Sequence, residues 1–554
     1  MHATTSDAAT LSPAGWDRWS WLPGCLAVAL QLVLVWAVDV FPTVDGPAHA
    51  HLAHALYESL RGDPFYGGLV ELNPVLNPNL AAQGALLALM AVAPPLLAEK
   101  LWVSVYFGFF ALAGAYALTG INARALCLLP VLVLCSLSLP LAFGFYNFSL
   151  SGVVLLTWFG YWWRHRQQCN LRVVLAHLVL ATLAYATHIF ALVSTIFAIA
   201  VAGTAAIAMD LHASSAHPAG QRLWKSFRTH AVPPLLGSLL ALAAAATFLL
   251  GSFGAQTASG AASLGSSDVA ERFRAFLAGT SLAPYDNVEI LAASVLAPVL
   301  LAFGLISLRK RGALRRSLPL GVCFAAFLAL YLVMPPQWVV RWMPARFQPL
   351  VFVMLVLWVA ALVPASLPRR HWLLIAAASL ALLAFSVHLR LPVFQRLDAY
   401  YREMASVGQH IERGSSLVSI RMTNNLAGVP FPARLDVLIQ AGSRIASERH
   451  AVDLKNFQAQ SPEHPIQFKP GIGAIAAFGG DAPLISLAPT LDLMAYERST
   501  GQRIDYILLY GIRRAPMSRK GLDNLDRQLA SDYDEVATSA PLGLATLYRR
   551  RHDH

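Results

Sequence analysis

Residues 39–58 read DVFPTVDGPAHAHLAHALYE, so two carboxylates (Asp39, Asp45), three histidines (His49, His51, His54) and Glu58 crowd the point where a long apolar run ends. Those residue types can remove a proton, return one, or hold a divalent cation. At about 100° per residue, a helix entered through Gly46 and Pro47 brings Asp45 and His49 to one face with Leu52 and Leu56. His51, His54 and Glu58 share the opposite face at i, i+3 and i+7, a spacing able to chelate a divalent ion. That face equally suits a stripe of solvated or headgroup-facing polar side chains. Asp45 has a second reading as a helix N-cap, where aspartate is favoured and proline suits the first turn. Asp39 closes an apolar helix, where a carboxylate near headgroups is tolerated.

The elements that must hold these residues are set by composition. Hydrophobic residues make up 56% of 554 and charged residues only 13%, with a mean hydropathy of +0.54. Apolar runs of about 16–22 residues recur over the first 390 positions, each long enough for a hydrocarbon layer ~30 Å thick. A water-soluble globular chain is excluded, and the pattern reads as an α-helical polytopic membrane protein. Leu22–Val38 reads as an uncleaved first helix, because Arg18 beside Asp17 is the only positive charge before it and no small-x-small site precedes Asp39. Cys25, Cys127, Cys135, Cys169 and Cys323 all lie in or beside apolar segments. The polar C-terminal portion therefore uses no disulfides.

The net charge of +11 comes from short basic loops between apolar runs, an orientation signal rather than a footprint for nucleic acid. WWRHRQQCNLR (162–172), RLWKSFRTH (222–230), RKRGALRR (309–316) and PRRHW (368–372) are expected to face the cytoplasm. The first loop, 42–79, carries Asp45, Glu58, Asp63 and Glu71 against Arg61 alone and reads as outward. Loops 252–287 and 335–346, and everything after Arg390, follow it. Leu171–Met209 is long enough for two helices that turn near His188. Four apolar stretches (about 80–98, 101–119, 125–142 and 148–163) lie where an odd number must cross. The one expected to fail is in the pair flanking LPLAFGFYNFS, where Pro140, Gly144 and Asn147 interrupt the pattern. About 11 crossings result, with the N-terminus inside and the C-terminus outside.

Three regions follow: a cytoplasmic tail (1–21), a membrane module (22–390) and an extracytoplasmic α/β domain (391–554) of about 150 residues. In the last, FQRLDAYYREMASVGQHIERG has helical periodicity, and SLVSIRM, IDYILLYGI and YDEVATSAPLGLATLYRR are strand-like. It holds no nucleotide fingerprint, glycine-rich phosphate loop or CxxC pair, and the chain shows no internal repeat.

An outward loop after the first helix, starting with an aspartate and running into an amphipathic helix, resembles the GT-C glycosyltransferases. PTVDGPAHAHLAHAL is similar to the Asp-x-Pro-x-His pattern of their bacterial members. YATHIF around His188, MPARFQPL around Arg346 and DYILLYG in the terminal domain add to the likeness. The resemblance implies inverting transfer of a hexosyl or pentosyl group from a polyprenyl-phosphate-linked sugar to an envelope glycan or lipid acceptor. It places that reaction at the outer face of the inner (plasma) membrane, among membrane lipids and without nucleic acid. It implies Asp45 as the base. An acidic pair is common in the family's first loop, but here Asp39 lies six residues upstream of Asp45 rather than beside it. No fixed cofactor is required, and a divalent cation is the one candidate.

Such chemistry asks for few parts. A base takes the acceptor's proton, with Asp45 and His49 as the catalytic candidates. Cations stabilise the departing phosphate, which arginine's planar fork suits. PPQWVVRWMPARF offers Arg341 and Arg346, beside Trp338 and Trp342, although the same residues could form an interfacial belt. His188 is either a partner in the cavity or a ring hydrogen-bonded to backbone. Tyr146, Asn147 and Asp39 complete the expected substrate-binding set. GSFGAQTASGAASLGSSDVAERFRAFL is a closing loop or a linker, and ERHAVDLKNFQAQSPEHPIQF could receive an acceptor. Two other functions share this architecture. One is a transporter using intramembrane acids and histidines, against which the polar residues gather at one face without paired broken helices. The other is a non-catalytic assembly factor for envelope polysaccharide.

Overall fold

The computed structural model describes residues 18–551 except 75–76, 214–217, 257–267, 311, 336, 339, 423–433, 462–463, 474–491 and 512–518. The chain enters through α1 (Leu22–Trp36) and then builds a capping layer from α2 (Gly46–Leu60), α3 (Pro64–Leu69), β1 (Val70–Leu72) and α4 (Leu80–Met90). α5 (Pro95–Ile121) is followed by α6 (Leu129–Ser136) and α7 (Leu139–Ala142), which form one broken span, and then by α8 (Tyr146–His165), α9 (Leu171–Thr187) and α10 (Ile189–Ala213). The amphipathic α11 (Ala219–His230) leads to α12 (Val232–Gln256), α13 (Val269–Leu277), α14 (Ile290–Leu308) and α15 (Ala313–Val333). A two-stranded ribbon of β2 (Gln337–Trp338) and β3 (Val340–Arg341) precedes α16 (Met343–Leu362) and α17 (Arg369–Ala405).

Among the described residues, nine helical spans are long and apolar enough to cross a membrane. The protein is a multi-pass membrane protein. α8, with 20 residues, and α9, with 17, are further helices of the bundle outside those nine. Of the four apolar stretches over 80–163, α4 is too short to cross, and of the pair flanking Pro140–Asn147 only Ala123–Ala142 is among the nine. The 11 residues of α4 rise roughly 16 Å, about half the hydrocarbon thickness. Pro95, the first residue of α5, restarts the helix there. The break between α6 and α7, by contrast, leaves a 20-residue apolar span from Ala123 to Ala142. The segments read as outward meet at one end of the bundle: Asp45 bonds to Phe143, Phe148 meets His188, and Phe143 stacks on Trp342.

The C-terminal domain covers that same end. Its elements are β4 (Ser416–Arg421), α18 (Ala441–Glu448), β5 (Val452–Asp453), β6 (Ile466–Phe468), α19 (Leu493–Thr500), β7 (Tyr506–Tyr510), α20 (Arg519–Asp532), β8 (Tyr533–Thr538) and β9 (Ala545–Arg550). The sheet order is β5-β4-β7-β9-β8. β4 runs parallel to β5 and β7, and β9 is antiparallel to β7 and β8. β4 and β7 are buried at every position, which suits the apolar runs LVSI and YILLY to central strands.

Two expected boundaries shift. α17 runs unbroken from Arg369 to Ala405, so the junction at 390 falls inside a helix, with Arg390 buried against Glu289 at 2.9 Å. The first loop, expected to belong to the membrane module, folds as part of the domain. β1 pairs antiparallel with β6, Val70 opposite Phe468 and Leu72 opposite Ile466. Leu52, Leu56, Tyr66 and Leu69 share one core with Val418, Ile420, Val452 and Ile507. Each such side chain contributes about 1.5–3 kcal/mol on burial, so the domain's core holds α2 in place.

Candidate active site

The geometry around Asp45 starts from backbone. The amides of Val44 and Asp45 donate to the carbonyls of Ala142 and Phe143 at 3.0 and 2.9 Å. The α7–α8 turn can lie this close because Gly144 takes a left-handed φ of +75°, and a Cβ there would sit 2.8 Å from the Asp45 nitrogen. The FGF sequence is thus a cradle for the residue before α2.

Asp45 occupies the N-cap position of α2, yet its side chain makes no capping bond. At φ −98° and ψ −9° its backbone is already helical. A capping side chain needs an extended backbone to reach the second and third amides. The capping reading therefore fails. The carboxylate is 7% exposed, and its Oδ1 is buried with no hydrogen-bond partner among the described residues. Burial pushes its pKa from 3.8 up to about 7, with the Arg346 charge pulling partly back. A carboxylate poised near neutrality suits general-base chemistry.

Arg346 sits in the first turn of α16, where the helix dipole works against a cation. What holds it is aromatic: its guanidinium lies 3.7 Å from the Phe145 ring centroid. Beside it, Phe143 stacks on Phe145 at 5.1 Å and on Trp342 at 4.9 Å. Trp342 has a left-handed φ of 58°, a conformation that costs on the order of 1–3 kcal/mol in a non-glycine residue. Arg346 lines a narrow crevice of about 20 Å³ among Phe110, Pro140, Phe148, Gly152 and Leu350. A second crevice, of about 10 Å³, touches the Asp45 loop through Thr43 and Pro47 and is lined by Tyr401 and Arg444. The side chains of Arg341 and Trp338 lie outside the described residues, as does much of the 251–277 loop.

His49 is not a free acid–base group. The amides of Gln83 and Gln458 engage its two ring nitrogens at 2.8 and 3.2 Å. Its ring centroid lies 5.7 Å from that of Tyr146 and 5.4 Å from that of His464. Burial, then the neighbouring His464, holds its pKa well below 6.5. It is a neutral spacer between α4 and the domain. His51 departs from the expected chelating trio: its Nε2 accepts the Asp453 amide at 3.0 Å, and Asn456 meets its Nδ1 at 3.1 Å. Burial lowers its pKa to about 4.

The remaining candidates divide. The Tyr146 hydroxyl donates to Glu99 Oε1 at 2.6 Å, and Thr43 lies 3.4 Å from both. Asn147 accepts the Ala82 amide at 2.8 Å and donates to the Asn79 carbonyl at 3.1 Å, tying down the start of α4. His188 breaks α9 from α10, its Nδ1 accepting the Phe190 amide at 3.0 Å. Its ring also lies edge-on to Phe148, which Arg346 overlies at 5.9 Å. Asp39 stands apart at the surface, 3.4 Å from Arg402, the two side chains 65% and 62% exposed.

Sequence reasoning missed Glu99, Arg444, Gln83, Gln458 and His464. Glu99, an isolated acid opening an apolar helix, carried a legible signal. The others carried none. The stretch 448–468 proves to be the cover of α2: His450, Asp453, Asn456, Gln458 and His464 reach its histidines.

No family model matches the chain, and no curated protein matches it. Among solved structures it is similar to ArnT from Cupriavidus metallidurans bound to undecaprenyl phosphate, with 12% identity, 96% of this chain and 98% of that one covered, and a TM-score of 0.49. The apo state of that protein matches at 12% identity over 95% of this chain and 97% of that one, with a TM-score of 0.48.

Proposed function

We propose that this chain is a membrane glycosyltransferase. It moves a hexosyl or pentosyl group, with inversion, from a polyprenyl-phosphate carrier to an acceptor of the cell envelope at the outer face of the inner membrane. Asp45 is the base. As an acceptor hydroxyl attacks the anomeric carbon, its proton passes to the Asp45 carboxylate and the bond from that carbon to the phosphate oxygen breaks. The polyprenyl phosphate leaves with the electron pair, its charge met by Arg346. A single displacement inverts the anomeric centre.

The observation that carries this reading is the Asp45 carboxylate: buried at the end of an apolar bundle, unused as a cap, with Oδ1 unpartnered and an arginine acting on it. Placement supports it as well. Arg346 lies among the apolar side chains of Phe110, Phe148 and Leu350, surroundings that suit the carrier lipid of the donor.

The test is consumption of polyprenyl-phosphate-linked sugar by purified protein in detergent, a setting in which a transporter has no compartment to act across. Asp45→Asn should abolish turnover while the protein still purifies as a folded monodisperse species. Turnover at the wild-type level in that variant removes Asp45 from the mechanism.

A further inference from the structure

We propose that His54, Glu58 and His450 form a zinc-type divalent-metal site that clamps the helix bearing Asp45 to the C-terminal domain. A ligating atom from each of the three lies within 4.8 Å of the others. His54 and Glu58 are four residues apart on α2 and share one face. His450 comes from the turn after α18, with its ring centroid 4.9 Å from that of His54.

Two features point to a missing ligand rather than a casual cluster. His54 is 2% exposed, and its Nε2 is buried with no hydrogen-bond partner among the described residues. The Tyr66 hydroxyl is likewise buried and unpartnered, on a ring set edge-on to His54 at 5.7 Å. Buried polar groups are nearly always satisfied. A cation bound to the imidazole nitrogen satisfies the first, and the metal or its water reaches the second.

Two imidazoles and one carboxylate are a tetrahedral zinc donor set with one position left for water or phenol oxygen. Mixed nitrogen and oxygen donors select against calcium and magnesium, which take oxygen. Among the described residues the Glu58 carboxylate otherwise pairs with Arg61 alone, at 3.8 Å, whose side chain is 63% exposed; a surface pair of that kind is weak and is readily displaced. Arg413 acts on both histidines with positive charge, but it is exposed and free to turn toward solvent. The backbone holds His450 in place, its carbonyl accepting the Gly414 amide at 2.8 Å and the next residue's amide donating to Ala446 at 2.9 Å. The site lies on the seam already joined by β1–β6 and by His51–Asp453. It does not depend on the proposed transfer reaction.

The test uses tag-free, chelator-stripped, full-length protein in detergent and zinc chloride as the probe. It reads bound zinc against a chromophoric competitor, and the Tm with and without metal. Glu58→Gln removes one ligand. His450→Asn removes another while keeping a residue that tolerates the left-handed φ of 54° at that position. Wild type should hold a single zinc per chain, and each variant should bind at least about tenfold more weakly, since even outer-sphere partners are worth 10–100-fold. Zinc should raise the Tm of wild type and not of the variants. Equal zinc affinity in wild type and in the Glu58→Gln/His450→Asn double variant overturns the proposal, as does zinc binding in wild type that leaves Tm unmoved.

Discussion

Glu99 and Arg444 lie 345 residues apart in the chain and meet at 2.8 Å. One opens a membrane span, α5, and the other sits on α18 of the C-terminal domain. Both are buried, with side-chain exposures of 3% and 5%. The pair backs directly onto the Asp45 turn: a side chain at Gly46 would collide with Thr43, Tyr146 and Glu99. The domain is therefore bolted to the bundle at the point where the candidate base is held.

Breaking that pair from one side should be costly. Arg444→Met leaves Glu99 buried without its partner, an arrangement that destabilises by about 3–5 kcal/mol. The double variant Glu99→Gln/Arg444→Met should recover part of the loss, because the charge left behind is gone. Thermal unfolding of wild type, both single variants and the double variant in one detergent reads the cycle. Strictly additive Tm losses would show that the two residues do not act as a pair.

Asp45→Asn should gain stability where it loses activity, and the gain should depend on pH. Burial raises the Asp45 pKa from 3.8 to about 7 in the folded protein. Between those values the unfolded chain has lost a proton that the folded chain retains, so rising pH favours unfolding. The contribution is absent below about pH 4 and complete above about pH 7, on the order of 4 kcal/mol at 1.36 kcal/mol per pH unit. Asparagine carries no such cost. The variant should therefore melt with wild type near pH 4 and above it at pH 8. A variant less stable than wild type at pH 8 would show that the carboxylate is not desolvated.

The sequence made some of this legible, and the limits have physical causes. Apolar spans, the start of α2 at Asp-Gly-Pro and the strands β4, β7 and β9 follow from local pattern, the strands because each buries a continuous or alternating apolar run. The failure of α4 to cross was hidden because 80–98 is uniformly apolar, and only the restart at Pro95 cuts it short. The shared core of 42–79 and the domain was hidden too, since Leu52, Leu56 and Leu69 carry no mark of which partner covers them. His49 and His51 look like chemistry in a one-dimensional reading. Their partners, Gln458 and Asp453, lie some 400 residues away and leave no local trace.

Gly144→Ala tests the cradle. Alanine disfavours the left-handed φ of +75°, and its Cβ would press on the backbone of Asp45 and Gly46. Stability should fall by about 1–3 kcal/mol, the usual cost of a strained backbone position. Turnover should fall further than that loss explains, because the Asp45 carboxylate moves with its backbone, and a displacement near 1 Å can cost about 100-fold. Measuring kcat at a temperature where the variant is fully folded separates the two effects. Unchanged kcat there would mean that the Phe143–Asp45 contact does not position the base.

Arg346 should be visible in the pH profile as well as in the rate. Its charge lowers a carboxyl pKa that burial has raised to about 7. Removing the charge in Arg346→Met leaves burial unopposed, so the Asp45 pKa rises further. The base is active when deprotonated, which puts an ascending limb in kcat/KM against pH near neutrality for wild type. In Arg346→Met that limb should move to higher pH, and the plateau should drop because the departing phosphate has lost its counter-charge. Arg346→Lys keeps the charge but not the planar fork, so its limb should stay close to that of wild type while its plateau falls. A limb that stays fixed in Arg346→Met would sever Arg346 from Asp45, and a plateau that stays fixed would sever it from the leaving group.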